Sequence, residues 1–123
     1  MEQQQQRPVR EVDRRASRRR HPRSTLKMEC RKGTLGLGPN LLQSILDLSE
    51  TGVRVIVKAN LEKGKEVEIL LVGGHQAQAV KRAANVVWCL PTENNLFCAG
   101  LHFHRPLSYG DLQRMTTVSA QLR

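Results

Sequence analysis

From Leu26 to Phe103, apolar and polar residues alternate with period two in short runs separated by turn-forming residues. Successive side chains of a β-strand point to opposite faces, so each run reads as a strand with one face on a core. Leu26, Met28 and Cys30 alternate with Lys27, Glu29 and Arg31, residues 53–58 repeat the pattern, and Val67, Ile69 and Leu71 give a further strand. Residues 42–48 and 77–90 also read as extended. Phe97, Ala99, Leu101 and Phe103 face one way, with Cys98, Gly100, His102 and His104 on the other side. Three glycines and a proline in 33–40, the polar stretch 49–52, Gly73 with Gly74, and residues 91–95 turn the chain between runs. After Pro106, Ser108 and Asp111 resemble a capping box, and Leu112, Met115, Val118 and Leu122 recur at helical spacing. The expected fold is all-β: a small six-stranded antiparallel barrel with a C-terminal α-helix.

A chain of 123 residues has room for one domain and one core, which leaves little space for a deep catalytic cleft. Nothing resembles an activated nucleophile, so the expectation is a binding domain and not an enzyme. The longest apolar stretch, near Ile69 to Val72, falls far short of the roughly 20 residues of a membrane-spanning helix. Residues 1–6 are polar with no apolar segment behind them, and a cytoplasmic location is expected. Cys30, Cys89 and Cys98 form no C-x-x-C pair, and their odd number argues against a disulfide framework, leaving free thiols. His102 and His104 share a strand face but lack ligands spaced to complete a tetrahedral set, so no metal is expected.

The net charge of +9 is unevenly placed. Residues 1–23 hold eight arginines against three acidic residues and show no apolar periodicity, so they are expected to form a flexible basic arm ahead of a domain at 24–123. Such a field draws anionic partners, whether nucleotide, nucleic acid or membrane surface, without choosing among them.

Two clusters have residue types suited to an anionic nucleotide. One is the string Arg18 to Arg23, in which Arg19 and Arg23 are four apart; the other contains Asp47, Ser49 and Gly52. An arginine offers five donors in a planar fork, able to grip a phosphate or the O6/N7 edge of guanine with two hydrogen bonds. A carboxylate accepts from guanine N1–H and its exocyclic amine, a serine hydroxyl donates or accepts, and a glycine allows close backbone approach and unusual φ. Arg10 with Arg14, Arg14 with Arg18, and Arg15 with Arg19 have the same spacing; proximity to the first strand favours Arg19 with Arg23.

Arg19-x-x-x-Arg23 followed by Asp47-x-Ser49-x-x-Gly52 resembles the signature of the PilZ domain family, and the segments Val86–Val87–Trp88 and Gly100–Leu101–His102–Phe103 resemble its later strands. The likeness spans about residues 18–115. It implies a receptor for cyclic di-GMP, a ligand and not a cofactor, gripped by Arg19, Arg23, Asp47, Ser49 and Gly52. Arg18, Arg20 and Trp88 are weaker transfers. The resemblance further implies an arm that folds over the barrel on binding and signals to a downstream protein. Two other readings stand beside it: a nucleic-acid-binding barrel, disfavoured because few aromatics are free for stacking, and a scaffold that binds no nucleotide. The helical stripe suits packing on its own barrel or on a second copy, so monomer and homodimer are both compatible.

Overall fold

A computed structural model of the chain describes residues 19–33, 35–73 and 79–117. Its elements in chain order are β1 (His21–Pro22), β2 (Lys27–Lys32), β3 (Leu42–Leu48), β4 (Gly52–Val57), β5 (Glu66–Val72), β6 (Ala79–Pro91), a 3-10 turn (Glu93–Asn95), β7 (Phe97–Phe103), α1 (Tyr109–Met115) and β8 (Thr116–Thr117). Six strands make one antiparallel sheet in the order β2-β5-β6-β7-β4-β3, while β1 and β8 pair with each other.

The period-two reading holds at the level of side chains. In β4, Val53, Val55 and Val57 are fully buried and Arg54 between them is exposed; Val67, Ile69 and Leu71 of β5, and Ala99, Leu101 and Phe103 of β7, turn inward with them. This apolar inner face, worth on the order of 25 cal/mol for each Å² removed from water, is the main stabilising term.

The thirteen-residue β6 makes the sheet curl. Its first half pairs with β5 and its second half with β7, with a register shift between Val86 and Trp88 that adds local twist. The edge strands are thereby brought near each other. At one end they are tied together, Leu41 N–H donating to the Cys30 carbonyl at 2.7 Å and Cys30 N–H to Asn40 Oδ1 at 3.0 Å, so the sheet forms a half-barrel. The 33–40 loop that joins them is held by Arg31, whose Nη1 donates to the Gly38 carbonyl at 2.6 Å.

The helix begins where the capping pattern placed it: Ser108 Oγ accepts from Asp111 N–H at 3.0 Å. Leu112 and Met115 are buried, and Met115 packs against Gly73 at the end of β5. The helix is shorter than the stripe predicts, ending at Met115, with Val118 and Leu122 outside the described residues. Thr116 turns extended at φ −129°, its Oγ1 donates to the Leu112 carbonyl at 2.6 Å, and Thr116–Thr117 pair with His21–Pro22. Strand pairing by two β-branched residues competes here with continued helix. No helix among the described residues is long and apolar enough to cross a membrane.

Candidate functional site

The stretch from Asp47 to Gly52 runs from the end of β3 to the start of β4, with residues 49–51 as the hairpin turn between them. Ser49 N–H donates to the Gly52 carbonyl at 2.9 Å, and Ser49 Oγ accepts from the N–H groups of Thr51 and Gly52, each at 3.2 Å. With 1% exposure, the Ser49 hydroxyl satisfies the turn's own donors. Gly52 is required by proximity, because a Cβ there would lie 2.4 Å from the carbonyl oxygen of Leu101 in β7. The unusual φ expected of it is not found: the positive-φ glycines among the described residues are Gly33, Gly36 and Gly64.

Asp47 reaches its position through a register shift. Ile45 lies opposite Val55, yet Asp47 lies opposite Arg54, so Leu46 is the extra residue of a bulge. That insertion brings the carboxylate to the side of the sheet where Arg54 projects. Arg54 Nε donates to Asp47 Oδ2 at 2.8 Å, its Nη2 donates to the same oxygen, and Arg19 Nη1 donates to Oδ1 at 3.1 Å. Asp47 is only 7% exposed and so sits between two guanidiniums with both oxygens engaged. Hydrogen bonding and attraction to Asp47 push the Arg54 guanidinium above its already high ordinary range.

The arginine segment is stitched to the domain from both sides. Arg20 and Leu48 exchange backbone hydrogen bonds at 2.8 and 2.9 Å, and Arg23 N–H donates to the Met115 carbonyl at 2.9 Å. The side chains of the motif then diverge. Arg19 goes to Asp47, whereas Arg23 Nη2 reaches the Gln113 carbonyl of α1 at 3.5 Å. Arg20 stacks over the Tyr109 ring, 5.4 Å from its centroid, and its buried Nη1 has no hydrogen-bond partner among the described residues. Arg18, with Arg10, Arg14, Arg15 and the rest of the expected arm up to that point, lies outside the described residues.

Trp88 belongs to the same outer surface. Asp47 of β3 pairs with Arg54 of β4, Arg54 with Gly100 of β7, and Gly100 with Trp88 of β6, a single row across four strands. Gly100 keeps this row flat: a Cβ there would lie 2.4 Å from Trp88 Nε1, so the half-buried indole lies across the glycine. The structure therefore gathers Arg19, Asp47 and the Ser49–Gly52 turn, with Trp88 farther along the row and Arg23 on the helix side. Arg54 was missed in the sequence, although alternation between Val53 and Val55 two residues past the motif glycine marks it as outward-facing.

No group of three or more potential metal ligands occurs among the described residues, and Cys30, Cys89 and Cys98 are free thiols. Burial pushes the Cys30 thiol up to about 11. The outer face thus offers arginine forks, a shielded carboxylate and an indole, groups chemically able to bind anions by paired hydrogen bonds and to stack on a planar ring.

Comparison with curated proteins and with solved structures returned no match. The family model of the PilZ domain matches residues 13–120, nearly the whole chain and including both motifs. The chain accordingly belongs to the PilZ domain family, a family of binding domains whose general ligand is cyclic di-GMP.

Proposed function

We propose that this chain is a cyclic di-GMP receptor that binds the ligand on the outer face of the half-barrel and passes the resulting change to a partner protein. The observation that carries the reading is the meeting of its two motifs: Arg19 and Asp47, 28 positions apart, lie 3.1 Å from each other beside the Ser49 turn. In this reading Arg19 and Arg23 grip phosphates and guanine edges, and Asp47 accepts from guanine N1–H and the 2-amino group. Ser49 and Gly52 hold the hairpin that aims Asp47. Arg18 and Arg20 add positive charge, and Trp88 supplies a stacking face.

The contacts of the two arginines suggest how binding becomes a signal. Arg19 is engaged with Asp47 and Arg23 with the carbonyl end of α1, so a ligand that takes both must break contacts holding the arginine segment to β3 and to the helix. The equilibrium shifts only by the difference in affinity for the two arrangements, and two phosphates facing two freed guanidiniums supply that difference. A partner then reads the rearranged arm. The chemistry is binding, with no bond made or broken.

Calorimetric titration of Arg19→Ala, Arg23→Ala and Asp47→Ala with cyclic di-GMP tests the assignment. Loss of measurable binding with unchanged circular dichroism supports it. Wild-type affinity in all three variants would reject the site.

A further inference from the structure

We infer that Arg54 is the fixed positioning partner of Asp47 and sets the preference for guanine, whereas Arg19 is the displaceable one; this rests on the receptor reading above. The two arginines hold the carboxylate differently. Arg54 is anchored in the middle of β4, paired with β3 on one side and β7 on the other, and places two donors, Nε and Nη2, on Oδ2. Arg19 precedes the two-residue strand β1 and places one donor on Oδ1 at 3.1 Å. Its single bond is the weaker anchor, on the more weakly held backbone.

The lone pairs of Asp47 permit this division of labour. A carboxylate offers about four acceptor positions on its two oxygens, and Arg54 draws on Oδ2 alone. When Arg19 leaves for a phosphate, both lone pairs of Oδ1 are free to take the adjacent N1–H and 2-amino donors of guanine. Arg54 meanwhile holds the carboxylate plane and keeps a cation beside a nearly buried anion. No neighbour on the row competes for Arg54, because the residue opposite it on β7 is Gly100.

The test compares the wild-type chain, Arg54→Ala and Arg54→Lys in titrations with cyclic di-GMP and with cyclic di-inosine monophosphate, whose base lacks the 2-amino group. An Asp47 aimed by Arg54 predicts a loss of cyclic di-GMP affinity of roughly ten-fold or more in Arg54→Ala, as for removal of charge-assisted hydrogen bonds. The preference for guanine over hypoxanthine narrows at the same time. Arg54→Lys, with the charge but not the fork, falls between wild type and Arg54→Ala. Equal losses for both ligands would assign Arg54 to the phosphates and overturn the inference, as would full affinity in either variant. If the wild-type chain binds neither ligand, the receptor reading falls and this inference with it; wild-type binding that Arg54→Ala leaves intact removes the inference alone.

Discussion

Replacing Gly52 by alanine probes a motif residue that close approach to β7 requires to be glycine. The added methyl would stand 2.4 Å from the Leu101 carbonyl oxygen, 3.4 Å from its carbon and 3.5 Å from His102 Cα, all backbone atoms of β7. Favourable contact begins about 1 Å farther out, so β4 and β7 must part at their ends. The strain of an overpacked site costs about 1–3 kcal/mol, and separation endangers the bond from Phe103 N–H to the Thr51 carbonyl, worth about 1 kcal/mol more. The sum, about 2–4 kcal/mol, is a large share of the roughly 5–15 kcal/mol that stabilise a typical domain. With a urea slope of about 2 kcal/mol per molar, the unfolding midpoint followed by circular dichroism should fall by about 1–2 M. Gly110→Ala is the control: it lies in α1 with nothing within 4 Å of its Cβ position, and should gain roughly 0.5–1 kcal/mol from helix propensity. A Gly52→Ala midpoint matching wild type would refute the claim that strand contact demands glycine.

Other consequences concern the same outer face and the core. Ser49→Ala leaves the Thr51 and Gly52 N–H groups without their acceptor and should lower stability by about 1–3 kcal/mol in urea unfolding; an unchanged midpoint would mean that the hydroxyl does not hold the turn. Gly100→Ala must lift the indole of Trp88, the chain's single tryptophan, so its fluorescence maximum and intensity should change in the folded state, and an identical spectrum would contradict the packing. Cys30 gives a pH dependence. Its thiol is raised from 9.0 to about 11 in the folded chain, so the unfolded chain loses this proton first. The stability Cys30 contributes is whole below pH 9 and fades as pH rises towards 11, by about 2–3 kcal/mol in all. The stability gap between wild type and Cys30→Ala should therefore shrink across that window, and a constant gap would argue against a buried, protonated thiol.

Much of the fold was legible because period two survives burial on one side. The strand runs beginning at Leu26, Leu42, Val53, Val67 and Phe97 all returned as sheet strands, and the Ser108 cap placed the start of α1. The end of the helix was not legible, since the stripe at Met115 and beyond continues in sequence while the backbone of Thr116 is drawn into pairing with β1, a tertiary contact that no local pattern announces. The site shows the same division. Arg19, Asp47, Ser49 and Gly52 could be named from residue type and from the resemblance to the PilZ motifs, but the hydroxyl of Ser49 reads equally as ligand group or turn acceptor until its partners are seen. The bulge at Leu46 sets Asp47 opposite Arg54, and the register shift at Val86 sets Trp88 opposite Gly100. Both depend on one extra residue in a strand, which alternation alone does not register. Arg54 could have been found by following the alternation two residues past the motif.

The central claim is tested most directly by titrating the wild-type chain with cyclic di-GMP at physiological salt, with GTP and a random oligonucleotide as controls. The account predicts saturable binding of the cyclic dinucleotide alone, with a stoichiometry read from the same isotherm. Heat from the oligonucleotide but not from cyclic di-GMP would contradict it in favour of a nucleic-acid-binding barrel, and no heat from any of the three would leave a PilZ fold that works as a scaffold without a nucleotide.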